Sequence, residues 1–342
     1  MRILDCTLRD GANVVGLGFN EEMTKLMIEG LLEAGIELIE LGNAHGMGAE
    51  EKDAPLTDRE YLELLKPYRG KAEFGMFLQS KKAKPEVVNL ASKQKLDFIR
   101  VGNNAGDGKD SAAAVKMVKE AGLTCRYSQM KAYLLTPEAL AEEALFLQNA
   151  GADEITIMDS AGTMTPEETG QYVRALKNKV SIPVGFHGHN NMGLSVANAC
   201  AACESGADVV DTGLMGMARS AGNIPTEVFM AAHLRSHPDC GFKLYSLLNF
   251  IDRKLEPAME AYQYHNPIHP MDLIMGYAGC HSGFRKLFAS VAEEKQVPLY
   301  SLIARVSAIE KKAPEKELIE KIAGEMKEQA PSDFFRKRLS GE

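Results

Sequence analysis

No stretch of about 18 apolar residues occurs in the 342-residue chain, so no membrane-spanning helix is expected. The first ten residues offer no uninterrupted apolar segment either. Arg2, Asp5, Arg9 and Asp10 break it, which argues against a secretory signal and for a cytoplasmic protein. Cysteine is scarce: six residues lie scattered from Cys6 to Cys280. Such spacing excludes a disulfide framework and fits free thiols in a reducing compartment. The lone C-x-x-C at Cys200 and Cys203 has no second pair nearby and falls inside a predicted helix, where packing is its expected role. Cations are outnumbered, 39 Lys and Arg against 47 Asp and Glu. A net charge of -8 excludes the broad cationic surface that nonspecific nucleic-acid binding needs. What remains is ordinary globular material, 45% hydrophobic and 25% charged, enough to bury a core and to exclude disorder as the main state.

The material is ordered as an alternation. Eight short runs rich in apolar and β-branched residues occupy positions 3–8, 37–41, 73–77, 98–101, 125–129, 154–158, 184–187 and 208–212. Helical patterns separate them, for example at 21–34, 111–121, 137–150, 166–178 and 193–205. Unbroken β-α alternation implies parallel strands with crossover helices. Eight such units in some 235 residues have the size of an α/β fold of the (β/α)8 TIM-barrel type. An open doubly wound sheet is the rival, but no G-x-G-x-x-G follows the first run. Gly35, Gly122, Gly151 and Gly206 each follow a helical pattern, where a left-handed residue lets the chain turn back into a strand.

The texture changes near Arg235. Helical patterns at 236–263 and 271–296 flank the turn-like HNPIHP, and a charged helical tail follows. The expected division is therefore a catalytic barrel over residues 1–235 and a helical C-terminal domain over 236–342, with residues 327–342 a loosely held end.

In a barrel of this kind chemistry collects at the C-terminal ends of the strands. Those ends carry Arg9 and Asp10, Glu40 and His45, Asp159 and Ser160, His187 and His189, then Arg219 and Asn223. His187 and His189 are two apart, so a strand aims both imidazoles at one face. By itself the pair also fits two hydrogen-bonded histidines. With Asp10 it makes a two-histidine, one-carboxylate set for Mn2+, Mg2+, Fe2+, Co2+ or Zn2+. Arg9 either pairs with a surface acid or steadies an enolate or carboxylate. Glu40 either orients Arg9 or sits in solvent. Asp159 is expected to cap the next helix, and the Ser160 hydroxyl to lie near that helix's N-terminus, where an anion is well received.

L-D-C-T-L-R-D-G, E-L-G-N-A-H-G, M-D-S-A-G, F-H-G-H-N-N-M-G-L-S-V-A-N and G-M-A-R-S-A-G-N-I-P-T-E occur in this order. Together they resemble the DRE-TIM metallolyase superfamily, which includes HMG-CoA lyase. The likeness is nearest to the 4-hydroxy-2-oxovalerate aldolases and extends into I-M-G-Y-A-G-C-H-S-G-F, similar to their C-terminal communication domain. The resemblance implies a metal-dependent aldolase that splits a 4-hydroxy-2-oxo acid into pyruvate and an aldehyde through a metal-stabilised enolate. It implies a divalent cation, Mn2+ first and Mg2+, Co2+ or Zn2+ as substitutes, on Asp10, His187 and His189, with Asn223 close by. It implies that Arg9 steadies the enolate, that Glu40 is the acidic member of the signature, that Ser160 and His187 help hold pyruvate, and that Tyr277 lines the pocket. It also implies an acylating aldehyde dehydrogenase subunit or a homodimer as partners.

One departure stands out. Those aldolases carry R-D-G-S-H, whose histidine is the base; this chain reads R-D-G-A-N, and the neutral amide of Asn13 takes no proton at pH 7. His45 and His281 are the substitutes available, or a metal-bound water acts instead, or the reaction differs. His281 otherwise reads as a helix-surface residue. An acyl-CoA/2-oxo acid condensing synthase and a non-catalytic homologue are the alternatives.

Overall fold

The computed structural model describes residues 1–49, 54–264 and 270–328. Among them, eight parallel strands close into a barrel in sequential order. The strands are β1 (Arg2–Asp5), β2 (Leu38–Glu40), β3 (Glu73–Gln79), β4 (Phe98–Asn104), β5 (Thr124–Met130), β6 (Glu154–Asp159), β7 (Val184–Gly188) and β8 (Val209–Thr212). The ring closes where β8 pairs with β1, Asp5 opposite Thr212. Helices α1 (Glu21–Glu33), α2 (Asp58–Leu64), α3 (Pro85–Lys93), α4 (Ala112–Glu120), α5 (Pro137–Ala150), α6 (Pro166–Lys179), α7 (Ser195–Glu204) and α8 (Thr226–Ser236) follow the strands in turn. This is the (β/α)8 barrel expected from the alternation.

Local chemistry sets the helix ends. Thr57 with Glu60 and Thr165 with Glu168 form capping boxes on α2 and α6. Asn20 and Thr136 accept backbone amides at the starts of α1 and α5. The four glycines expected to turn the chain do so with positive φ, from 78° at Gly122 to 115° at Gly151.

Strand residues alternate between two environments. Ile39, Ile99, Ile155, Ile157, Phe186 and Val210 face the helices and join the main core. Their neighbours Leu4, Leu38, Phe98 and Val209 meet Cys6 inside the barrel. Above this small apolar plug the inward positions are charged: Glu40, Arg100, Arg126, Glu154 and Asp211 are all buried.

The first apolar run, 3–8, is only partly strand. The chain leaves the sheet after Asp5, and the amides of Arg9, Asp10 and Gly11 all donate to the Cys6 carbonyl. This tight turn folds Arg9 and Asp10 back over the barrel mouth. Beyond α8, the helices α9 (Leu244–Phe250) and α10 (Glu256–Met259) contribute Leu247, Phe250, Leu255 and Met259 to the barrel's own core. A separate apolar core is built from α11 (Pro270–Ala278), α12 (Arg285–Lys295), α13 (Leu299–Ser307) and α14 (Lys316–Glu328), around Met275, Phe288, Ile303 and Ile319.

The helix expected over 271–296 is broken in two. Gly279, at φ 69°, ends α11, and His281 accepts the Gly283 amide at the start of a short 3-10 turn. His281 is thus a loop residue and not the helix-surface residue anticipated. HNPIHP up to His269 and the tail beyond Glu328 lie outside the described residues, as does the Tyr277 side chain. Among the described residues no helix is long and apolar enough to cross a membrane.

Candidate active site

β7 carries His187 on its inward face, and two residues on His189 bridges to Asn223 while donating its amide to the Asp159 carbonyl. The two imidazoles stand edge to face, 5.3 Å between centres. Asp10 arrives from the turn after β1. Its Oδ2 lies 3.8 Å from His187 Nε2 and 3.9 Å from His189 Nε2. One ligand atom from each of the three residues falls within 4.8 Å of the others, and all three side chains are buried. That spacing suits a single cation bound between them.

Each arm of this cluster is held from behind. Asp10 Oδ1 accepts from Arg9 Nη1 at 2.8 Å and Oδ2 from Asn223 Nδ2 at 2.9 Å. Arg9 Nε donates to Glu40 Oε1 at 2.5 Å, and the other Glu40 oxygen accepts from Arg100 Nε at 2.5 Å. Arg100 in turn donates to Asp211 Oδ2, which also lies 3.1 Å from His187 Nδ1. A carboxylate only accepts, so His187 carries its proton on Nδ1 and turns the Nε2 lone pair toward Asp10. Asp10, Arg9, Glu40, Arg100 and Asp211 alternate in charge, and His187 closes them into one ring around the barrel mouth.

Arg100 and Asp211 were not singled out from the sequence, although F-I-R-V and V-V-D-T each place a charge where the strand alternation points inward. A charge inside an apolar strand run needs a buried partner, and that was the available signal.

The electrostatics follow from burial and from this ring. Burial would raise the Asp10 carboxyl, but Arg9, then His189 and His187, outweigh it and hold it well below the usual carboxylate range. Burial pushes His189 down to about 3, leaving it neutral, and its Nδ1 has no hydrogen-bond partner among the described residues. Burial, with the cations Arg219 and Lys131 nearby, pushes His281 down to about 4. Burial pushes Asp159 up to about 6.

Of the remaining expected residues, His45, Ser160, Arg219 and His281 line one cavity of about 540 Å³. His45 lines it, its amide donating to Asn43 Oδ1 at 2.8 Å. Ser160 lines it too, its Oγ accepting the Lys131 amide at 2.9 Å, while the cap of α6 is Thr165. Asp159 accepts the amides of Thr163 and Met164 and so ties the loop ahead of α6 without capping it. Asn13 is tied at both amide ends, donating to the Asp10 carbonyl at 2.8 Å and accepting from Arg219 Nη2 at 3.0 Å. His281 reaches the same cavity from the C-terminal helices.

Comparison with known proteins agrees with this picture. The family profile described as HMGL-like matches residues 79–252. The 4-hydroxy-2-oxovalerate aldolase of Carboxydothermus hydrogenoformans is 30% identical over 329 residues, 95% of this chain and 97% of that protein. The 4-hydroxy-2-oxovalerate aldolase 2 of Rhodococcus opacus is 34% identical over 309 residues, 88% and 87% of the two chains. Among solved structures, the N-terminal domain of a candidate aldolase from Bacteroides vulgatus superposes with a TM-score of 0.70 at 24% identity, covering 81% of this chain and 92% of that one. The carboxyl transferase domain of Rhizobium etli pyruvate carboxylase with pyruvate gives 0.75 at 18%, covering 97% and 61%. At these identities the solved structures speak for the fold alone; the sequence relatives and the family profile carry the assignment, and the chain belongs to the HMGL-like family.

Proposed function

We propose that the protein is a divalent-metal-dependent carbon-carbon lyase that cleaves a 4-hydroxy-2-oxo acid to pyruvate and an aldehyde, and joins them in reverse. One observation carries the reading: Asp10, His187, His189 and Arg9 converge on one cavity in a chain aligned over most of its length with 4-hydroxy-2-oxovalerate aldolases.

The residues fit a cation. Two imidazoles and an ionised carboxylate form the donor set of a divalent site with open positions, and Asp211 fixes the His187 ring as an outer partner does. Mn2+ is the metal proposed, with Mg2+, Co2+ or Zn2+ able to replace it. When bound, it supplies Lewis acidity at a chelated keto acid.

The chain does the rest. Arg9, locked by Glu40, presents its guanidinium to the negative charge that builds on the keto oxygen. The Ser160 hydroxyl accepts one amide and keeps its proton to donate to the substrate carboxylate. In cleavage, the 4-hydroxyl loses its proton, the bond between C3 and C4 breaks, and C3 takes up a proton to complete pyruvate. Asn13 is neutral and tied at both ends, so it does not take the hydroxyl proton. Imidazole is the side chain that titrates near neutral pH. His281 Nδ1 already accepts from Gly283, which leaves its Nε2 as a donor; His45 is therefore assigned as the proton acceptor.

Within the same proposal, the region 236–342 meets an acylating aldehyde dehydrogenase or a second copy of the chain, and the described cysteines, all free, suit the cytoplasm. The test is hydrogen-deuterium exchange at the pyruvate methyl in D2O. Mn2+-loaded protein is expected to catalyse it. Arg9→Ala should bind Mn2+ yet exchange on the order of 10²–10³ more slowly, the usual loss for one electrostatic stabiliser. Exchange at the wild-type rate in that variant rejects the role of Arg9, and no exchange in the wild type rejects the function.

A further inference from the structure

The cavity's charge does not match a neutral aldehyde. The chain as a whole carries -8, yet among the described residues four Lys and Arg side chains, Arg9, Lys81, Lys131 and Arg219, line this cavity against a single carboxylate, Asp10. Arg9 is paired with Glu40 and Asp10. Two of the other three are held in the wall with no ion pair among the described residues. Among the described residues Arg219 donates to the neutral amide oxygen of Asn13, at 3.0 Å. Among the described residues the Lys131 ammonium donates to the Lys312 carbonyl, at 2.8 Å, and lies 5.8 Å from the centre of the Phe284 ring, while the Lys312 ammonium is itself satisfied by Asp107 at 2.6 Å.

Lys131 is also held in an unfavourable place. Its φ of 56° is left-handed, a conformation that costs a residue with a side chain on the order of 1 kcal/mol or more and persists where surroundings over-determine it. The bond from its amide to Ser160 Oγ pins it there, next to the cavity. Half-buried cations without carboxylates carry a desolvation cost that an incoming anion offsets. A bound divalent cation makes the surplus of positive charge larger, and the single carboxylate of a pyruvyl group does not balance it.

We propose that the aldehyde half of the substrate ends in a second anionic group, a carboxylate or a phosphate, received by Arg219 and Lys131. This rests on the aldolase reading above and narrows its substrate class. The anionic tail takes no part in bond making: in the addition direction the pyruvate methyl carbon loses a proton and bonds the aldehyde carbon, whose oxygen takes one up. His281 lines the same cavity, and because its Nδ1 accepts the Gly283 amide, its Nε2 is left to donate.

The experiment is a panel of aldehydes with pyruvate and Mn2+-loaded protein. Propanal serves as the neutral member, succinic semialdehyde as the carboxylate and glyceraldehyde 3-phosphate as the phosphate. At least one anionic aldehyde is expected to exceed propanal in kcat/KM by tenfold or more, and which one does so identifies the tail. Lys131→Met and Arg219→Gln should each cut that advantage by roughly 10-fold to 100-fold, the worth of one hydrogen bond to a charged group. Propanal turnover in the same variants is the internal reference for folding. A preference for propanal, equal rates across the panel, or an unchanged ratio in both variants overturns the proposal. Methyl exchange of pyruvate is measured alongside. Exchange with a flat aldehyde preference overturns this inference alone, whereas absent exchange overturns the aldolase reading and this one with it.

Discussion

The two faces of the barrel wall are built from the same strands and differ at every other residue. Outward, Ile39, Ile99, Ile155, Ile157 and Val210 are wholly buried against helices. Inward, the apolar plug is small, and above it Glu40, Arg100 and Asp211 are fully buried as well. Burial is equal; chemistry is opposite. An apolar wall stabilises wherever it is buried, whereas a buried ion pair gains little over a hydrophobic replacement and loses heavily when one member is removed. The inward charges are therefore poor value as structure, and their arrangement makes sense as a scaffold that holds Arg9, Asp10 and His187 in register.

The largest effect is expected at the centre of the ring. Arg100→Leu leaves Glu40 and Asp211 facing each other's surroundings without the shared cation, and should cost about 3–5 kcal/mol in urea unfolding. A loss as small as that of an ordinary core truncation would erase the distinction between the two faces. Next comes Asp211→Asn, which keeps the shape and one acceptor but removes the negative charge that His187 Nδ1 and Arg100 share. Affinity for Mn2+, measured by calorimetric titration, should fall roughly 10–100-fold. Unchanged affinity would detach the ring from the cation site. On the outward face Ile157→Val should cost only about 0.5–1.5 kcal/mol and leave Mn2+ affinity at the wild-type value. A shift in affinity there would mean that the wall does not separate packing from the site.

The same contrast explains what the sequence disclosed. The barrel was legible because alternation of short apolar runs and capped helices is a local property, written in residues such as Thr165, Glu168 and Gly151. Asp10, His187 and His189 were legible because strand ends and a spacing of two are also local. Arg100 and Asp211 were not, since each looks like an isolated charge until closure of the barrel brings β4 and β8 together across its interior. His281 was legible only as one of two alternatives, a site residue or a helix-surface one, because a helical pattern continued through Gly279; the left-handed break there makes it a loop residue that lines the cavity. The 540 Å³ cavity combines strand ends with a loop more than 270 residues from Arg9, a proximity that periodicity cannot encode.

The smallest expected effect comes from the outward face's own exception. Asp5 lies on β1 among apolar neighbours, accepting the Thr7 amide at 2.9 Å and the Thr226 hydroxyl at 3.0 Å where α8 begins. Burial dominates these bonds and pushes its carboxyl up to about 6. A carboxyl whose pKa is higher folded than unfolded binds its proton more tightly in the native state. Its contribution to stability is therefore fully present below pH 4 and is lost as pH rises through about 6. An amide keeps an acceptor for Thr7 and can donate to Thr226, with no charge to desolvate. Asp5→Asn should then gain on the order of 1 kcal/mol relative to the wild type at pH 7.5, with the gain fading as pH falls toward 4. Metal-free protein unfolded in urea across that range reads the difference. A loss at pH 7.5 would mean that the charge itself is needed at the start of α8, and that the outward wall, like the inward one, depends on an ion it has to keep.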